Sequence, residues 1–505
     1  MVSIDNLPDE VLLAIFDFYL PEYSNSKSGT KAWQLLVHVC RQWRCIVFKS
    51  PRRLNLRLVC TSRTPVRDTL GVWPPFPLVI QNSTCLTEDV DNVVAVLECS
   101  DRVYGIELRE VNCSPLEIVL AAMQEPFPKL THLLLTSHDE MLPVVPDSFL
   151  AGYAPSLDYL GLDGIPYPGL PRLLLSATYL VDLHILDIPH SGYITPEAMA
   201  TTLSTLTSLG SLSLGFRSPQ SCPDPANRRP PPSTRRILPV LTRFWFKGAC
   251  EYLDDLVAHV DAPQVNLFVT FFNQIVFDTP QFIQFISRTP TLKALETGHV
   301  VFEDHAAKIN ISSQTSGYGS LEVKISCREF DWQVSSLEQV CTSCLPPLST
   351  LEDLSIYRQT LSYPHWQDNI DNTLWLELLR PFTAVKKLYL SKELAPRIVP
   401  TLQELVEGRT TVVLPTLQYI FLEELQPSGR VQDGIRQFVA MRHAIGHHIT
   451  VSLWDRFTGR GLLKVPSTKR SARRKPAIAC LFCRERKIAC GPPPIGSAEI
   501  GRAHV

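Results

Sequence analysis

Three cysteines near the C-terminal end have the residue type and spacing for metal chemistry. Cys480, Cys483 and Cys490 form a C-x2-C-x6-C pattern. Cysteine thiolates are preferred ligands of structural zinc, and such a site needs four ligands in tetrahedral geometry. No cysteine follows Cys490 in the sequence, so the three thiolates alone do not close a tetrahedron. We therefore expect no cofactor, and zinc only if further ligands complete the cluster.

This segment resembles the first half of a fungal Zn₂Cys₆ cluster. The resemblance implies six thiolates around two zinc ions and a short helix that enters the DNA major groove. It also implies that Lys487 reads a guanine edge while Arg484 and Arg486 lie near phosphates. Two interpretations stay open. One is a remnant or truncated product whose tail is largely disordered without metal. The other is a DNA-binding regulator whose missing ligands come from elsewhere in the protein.

Two other groups have spacing that metal sites use. Cys341 and Cys344 form a C-x2-C pair, but no second pair lies nearby. We therefore expect this spacing to be a coincidence within a helix and not a zinc site. His443 and His447 are four residues apart, but Gly446 is expected to end the helix before His447. The sequence contains no glycine-rich phosphate loop, no G-x-S-x-G and no H-E-x-x-H. We therefore expect a protein that is not an enzyme.

The first fifty residues predict two amphipathic helices. Apolar residues recur with helical period after Pro8, which suits a first helical turn, and again from Trp33 to Val47. A polar insert at residues 20–30 separates the two halves. Such short helices cannot bury their apolar faces on each other alone, so they need a partner or the rest of the chain.

This pattern resembles the F-box, from about Leu7 to Phe48, through its Leu-Pro-x-Glu-x-Leu-x-x-Ile-Phe opening and its Val-Cys-x-x-Trp continuation. Membership would imply a helical module that binds the Skp adaptor of a cullin-RING ubiquitin ligase. The adaptor-binding residues predicted on this basis, some of which must also pack the module itself, are Leu7, Pro8, Leu12, Ile15, Phe16 and Trp43. The alternative is an ordinary helical hairpin at the start of a helical domain.

A repeated phrase, in which apolar residues stand at positions 1, 4 and 6, runs through the middle of the chain. Its starts are Val103, Leu130, Leu157, Leu180, Leu209, Leu241, Leu351, Val385 and Leu417. The first five starts are 27, 27, 23 and 29 residues apart, a period typical of leucine-rich repeats with one short strand each. Segments 195–206 and 281–287 are predicted to return as helices. The phrase weakens between Val265 and Ile325, so we expect an irregular solenoid.

Charge and composition agree with a folded body and a basic tail. The net charge is −2, but residues 464–505 hold ten Lys or Arg and two Glu, a local charge of +8 that leaves −10 for the rest. No run reaches the length of a membrane helix, and the scattered cysteines suit reducing compartments. We expect a nuclear or cytoplasmic protein with no membrane partner. Residues 469–475 resemble a nuclear import signal.

The sequence thus predicts a mixed α/β architecture with an N-terminal helical module, an irregular leucine-rich-repeat solenoid and a basic tail. The predicted boundaries are 1–55 for the module, 56–100 for a connecting segment, 101–455 for the solenoid and 456–505 for the tail. The leading functional hypothesis is a substrate receptor of a Skp–cullin–F-box ligase that binds an unknown target protein through the repeats. The alternatives are a zinc-dependent regulator that binds DNA through the tail, and a solenoid scaffold.

Overall fold

A computed structural model describes most of the chain. The described residues are 7–19, 32–82, 90–221, 234–273, 276–293, 295–313, 319–359, 372–404, 413–423, 429–455 and 460–462. The chain divides into two compact units, Met1–Gly461 and Leu462–Val505. Apart from Leu462, every described residue belongs to the first unit. None of the described helices is long and apolar enough to cross a membrane.

Helices and strands alternate along most of the chain. The helices are α1 Asp9–Tyr19, α2 Ala32–Val37, α3 Arg41–Lys49, α4 Val66–Val72, α5 Val90–Leu97, α6 Cys113–Ala122, α7 Leu170–Leu174, α8 Pro196–Leu203, α9 Cys250–His259, α10 Pro280–Arg288, α11 Phe330–Ser343, α12 Asn372–Leu379, α13 Ala395–Glu404 and α14 Arg430–Ala444. The strands are β1 Leu58–Cys60, β2 Leu78–Asn82, β3 Val103–Leu108, β4 His132–Thr136, β5 Tyr159–Asp163, β6 Asp182–Ile188, β7 Ser211–Phe216, β8 Arg236–Ile237, β9 Arg243–Gly248, β10 Val260–Asp261, β11 Asn266–Phe272, β12 Thr297–Phe302, β13 Ala306–Ser312, β14 Ser320–Ser326, β15 Asp353–Arg358, β16 Lys387–Leu390, β17 Tyr419–Leu422, β18 Thr450–Asp455 and β19 Arg460–Leu462.

One long sheet organises the described residues. Strands β1 to β7 lie side by side in chain order, and β9 and β11 follow, with every neighbouring pair parallel. Parallel neighbours need a crossover on one face of the sheet, and helices α4 to α9 supply it for six of these eight pairs. This parallel-strand arrangement is typical of a leucine-rich-repeat solenoid, as predicted.

The repeated phrase explains the sheet's buried face. Each of its nine copies coincides with a strand, so that its last two apolar residues lie in register with those of the neighbour. Leu133, Leu160 and Leu183, for example, are aligned and fully buried. Leu130, which starts its phrase, is also buried just before its strand. Stacking therefore completes a core that a single repeat cannot close.

The weak region of the phrase contains an insertion that the sequence pattern does not reveal. Strand β14 pairs with β11 in parallel, but β13 pairs with both β14 and β12 in antiparallel fashion. Strand β12 then pairs with β15 in parallel, and β16 to β18 continue the series. The order across the sheet is therefore β11, β14, β13, β12, β15. After β11 the chain leaves two strand positions empty and forms β12 in the third. It then runs back through β13 and β14, which fill the two positions, so that β12, β13 and β14 form an antiparallel meander.

The sheet also begins earlier than predicted. Strands β1 and β2 lie within 56–100, the segment predicted to be a connection, yet they pair with each other and β2 pairs with β3. Their copies of the phrase are too degenerate to recognise, although Leu58, Leu78 and Ile80 are buried as in the later repeats. The predicted helices at 195–206 and 281–287 are confirmed as α8 and α10. Thr195 caps α8 by accepting a hydrogen bond from the Ala198 amide.

Candidate functional site

Helices α1, α2 and α3 pack on one another as a small module. Phe16 of α1 lies against Trp43 of α3, with ring centroids 4.8 Å apart. Helix α3 begins after Cys40, whose sulfur accepts a hydrogen bond from the Trp43 amide. Leu36 and Val37 of α2 are buried in the same cluster. Many of the apolar residues that recur with helical period therefore hold the three helices together.

The predicted adaptor-binding residues divide into a buried and an accessible group. Leu12 and Phe16 are 0% exposed, so their side chains pack the module and present no surface. Leu7, Ile15 and Trp43 are half-buried against the core. Pro8 is the one residue of the six that is exposed. Of the six residues, only Pro8 and the outer parts of Leu7, Ile15 and Trp43 are therefore accessible in this conformation.

In the described part of the module, four further large apolar side chains face outward. They are Val11 (42% exposed), Phe18 (91%), Leu35 (72%) and Val39 (58%). Leu35 and Val39 are four residues apart, so they are neighbours on one face of α2 and its final turn. We call Pro8, Val11, Phe18, Leu35 and Val39 the exposed apolar set. Val11 is one of the apolar residues that recur with helical period, as is the adjacent Leu12. Only the packing of α1 in the module shows that Val11 is exposed and Leu12 is buried.

The module is fixed to the solenoid through aromatic side chains. The Trp33 ring lies 5.2 Å from Trp73 and 5.4 Å from Phe76, both edge-on, and Phe48 lies 5.8 Å from Phe76. The Trp33 indole N–H donates a 3.0 Å hydrogen bond to the Arg57 carbonyl. One continuous cluster of buried residues runs from α1 into the sheet. The module therefore covers the N-terminal end of the solenoid core and is not a flexibly tethered unit.

The sheet face opposite the helices carries a second candidate surface. Two glycines there leave room for larger neighbours. A β-carbon on Gly161 would lie 2.6 Å from Leu134 Cδ1 and 3.1 Å from the Tyr159 ring. One on Gly215 would lie 2.9 Å from the Trp245 ring and 3.5 Å from Leu186. Leu134 and Tyr159 therefore fold over Gly161, and Leu186 and Trp245 fold over Gly215, which gives this face two apolar patches. We call Leu134, Tyr159, Leu186 and Trp245 the open-face strip.

Histidines lie along the same face. The ring of His132 stacks on Tyr159 with centroids 4.2 Å apart, and that of His184 lies 5.4 Å from Tyr159. His184 Nδ1 lies 2.9 Å from the Ser213 hydroxyl. Burial lowers the pKa of both His132 and His184 below the ordinary 6.5. Both rings are therefore neutral at pH 7 and do not balance the nearby carboxylates.

The two groups with metal-like spacing do not form a metal site. Cys341 and Cys344 are buried near the end of α11, where burial raises the pKa of the Cys344 thiol to about 11 and that of Cys341 further. Helix α14 ends at Ala444, and Gly446 follows with φ of 87°, so the predicted helix end is confirmed. In the described part of the chain, no three His, Cys, Asp or Glu side chains gather as a metal site would require.

The tail motif cannot be placed. Cys480, Cys483 and Cys490 lie outside the described residues, as do Arg484, Arg486 and Lys487. The same holds for most of the predicted tail, 456–505, of which only Arg460–Leu462 is described. The zinc and DNA hypotheses for this segment therefore stay predictions.

Comparisons with known proteins agree with the geometry at the N-terminus. A search of curated proteins finds no match. Among solved structures, the chain is similar to the leucine-rich repeat-containing protein LegL7 from Legionella pneumophila, with 11% identity and a TM-score of 0.27 over 76% of this chain and 97% of the other. A TM-score this low does not support a conclusion about this chain. Residues 4–52 match the family model described as F-box-like, so an F-box-like domain precedes a sheet of the leucine-rich-repeat type.

Proposed function

We propose that the chain is a non-enzymatic substrate receptor of a Skp–cullin–F-box ubiquitin ligase. The observation that carries the proposal is the exposed apolar set on a module that matches the F-box-like family. Several exposed apolar side chains on one small domain favour an interaction site there. F-box domains in general bind Skp adaptors, and the exposed apolar set would provide the contact here.

The proposed mechanism is proximity. A receptor that holds its target beside the ligase raises the effective concentration of target lysines at the transferring enzyme. The aromatic contacts of Trp33 with Trp73 and Phe76 support this role, because they fix the module on the end of the solenoid. The open-face strip would then be held at a constant position relative to the adaptor. No acid, base or nucleophile of this chain takes part in the reaction.

The buried residues of the module have a different role in this proposal. Leu12 and Phe16 support the surface by packing α1 on α3. A charged replacement of Leu12 would place an unpaired charge in the core and unfold the module. Loss of binding in such a variant would therefore not identify the docking surface. A test needs changes at side chains that are already exposed.

The test is adaptor co-purification with the double variant Leu35→Asp and Val39→Asp. We expect at least a tenfold loss of bound Skp-type adaptor, because charges at an apolar contact are desolvated without a partner. The matched control is Leu175→Asp with Tyr179→Asp, two apolar residues of the solenoid that are 54% and 70% exposed. Adaptor binding that survives in the Leu35 and Val39 variant would overturn the proposal, as would an equal loss in the control.

A further inference from the structure

The open-face strip is flanked by carboxylates along its β5 and β6 part. Asp158 and Asp182 lie where these strands start, and Asp163 lies where β5 ends. Asp182 pairs across the sheet with Tyr159, and Asp163 pairs with Leu186, so a carboxylate borders each of these two apolar side chains. No ion-pair partner is found for these three carboxylates within the described residues.

Two polar groups beside the strip also lack partners. One carboxylate oxygen of Asp163 is buried without a hydrogen bond among the described residues. Ser211 is 6% exposed, and its hydroxyl is likewise unpaired there. Ser211 lies between Asp182 on one side and Arg243 on the other. Buried polar groups are normally hydrogen-bonded, so unpaired ones beside an open surface point to a ligand that supplies the partner.

The charge changes sign along the strip. Burial, followed by the charge of Asp187, raises the pKa of Asp163, and burial raises the pKa of Asp158. At the β9 end, Lys247 forms a 2.8 Å ion pair with Asp187, and Arg243 is exposed. The carboxylates of Asp158, Asp163 and Asp182 make the β5 and β6 part acidic, while Arg243 makes the β9 end basic. A cationic ligand group is favoured only over β5 and β6.

We propose that the open-face strip binds a segment of a partner protein in which a lysine or arginine side chain stands next to an apolar one. The cation would lie beside Asp182 or Asp163, and the apolar side chain next to it would pack on Tyr159 or Leu186, the residues that pair with those carboxylates across the sheet. Trp and Tyr contribute large contact areas at low entropic cost, and they are frequent among the residues that dominate binding energies. This inference rests on the proposed function, since it specifies the class of target segment that the receptor recognises.

The test is a selection of random twelve-residue peptides on phage against the full chain, followed by fluorescence anisotropy with the selected peptides. We expect selected peptides enriched in Lys or Arg beside an apolar residue. The double variant Asp163→Asn with Asp182→Asn should bind them at least tenfold more weakly, or about 1.4 kcal/mol. Tyr159→Ala should weaken binding similarly. Thermal unfolding of each variant shows that it is folded.

The matched control makes the same change of charge on the helical side of the solenoid. Glu377→Gln with Asp433→Asn removes two carboxylates from α12 and α14, where each forms only a surface ion pair. We expect it to bind the peptides as the unchanged chain does. The proposal is overturned if no peptide is selected, if Lys and Arg are not enriched, or if the Asp163 and Asp182 variant keeps full affinity. The Leu35 and Val39 variant should bind the peptides normally, which separates this test from adaptor docking.

Discussion

At the scale of single residues, Asp163 shows how the open face departs from an ordinary protein surface. It is half-buried, with one oxygen unpaired among the described residues, and Asp187 adds a like charge nearby. Lys247, Arg217 and His138 partly offset that charge. The net effect is a raised pKa, so the ionised form is less favourable in the folded chain than in the unfolded chain. A binding surface commonly keeps such groups at a cost in stability.

Replacing Asp163 by Asn should therefore increase stability near neutral pH. Because the folded pKa lies above the ordinary 3.8, the folded state binds the proton more tightly, and stability falls as pH rises through this range. The amide does not ionise, so the variant should gain free energy of unfolding at pH 7. The gain should shrink as the pH is lowered towards 4. Urea unfolding at a series of pH values measures it, and Asp433→Asn is the exposed control. A variant less stable than the parent at pH 7 would contradict this prediction.

At the scale of elements, the sequence predicts where the strands lie better than it predicts which strands pair with each other. All nine copies of the phrase lie on strands because each copy must fill the same position in the stacked core. The meander of β12, β13 and β14 could not be predicted, since alternating residues such as Leu321, Val323 and Ile325 suit a parallel or an antiparallel neighbour equally. The same limit applies to Val11 and Leu12. Helical periodicity places both near one face, and only the packing of α1 in the module decides that Leu12 is buried and Val11 is exposed.

The junction between the module and the solenoid gives an element-scale prediction. Trp73 contacts Trp33, His38 and Phe48 with ring centroids 5.2 to 6.4 Å apart. We expect Trp73→Ala to lower the free energy of unfolding by about 3 kcal/mol, because buried contact area is lost on both sides of the junction. Hydrogen exchange should show reduced protection in α2, α3 and β2 together, with β16 and β17 unchanged.

The control for this junction is Trp332→Ala, which removes the same side chain from a position on α11 that is 51% exposed. We expect a change of about 0.5 kcal/mol or less, as for most surface substitutions. If Trp73→Ala reduced protection in the module alone, the module and the first repeats would be separate cooperative units. The proposal of a fixed distance between adaptor and target would then fail.

At the scale of the whole molecule, the two ends of the chain suggest different functions. The N-terminal end has an F-box-like match and carries the exposed apolar set. The C-terminal prediction depends on Cys480, Cys483 and Cys490, which lie outside the described residues. Spacing predicts ligands but not the fourth one, because tetrahedral closure depends on residues that the fold brings together from elsewhere. A receptor requires no metal, whereas the alternative DNA-binding regulator requires zinc to fold its DNA-contacting helix.

Zinc content therefore separates the two functions in a single measurement. For a receptor, we expect purified full chain to hold no stoichiometric zinc by elemental analysis, and Cys480→Ala to leave adaptor binding unchanged. For the regulator, two equivalents per chain should be present and lost in Cys480→Ala, because the cluster shares its thiolates between both metals. Cys344→Ala is the matched control, since that thiol is buried in the solenoid. Two equivalents of zinc that depend on Cys480 would establish a metal site in the tail. They would also require DNA binding to be tested alongside the adaptor.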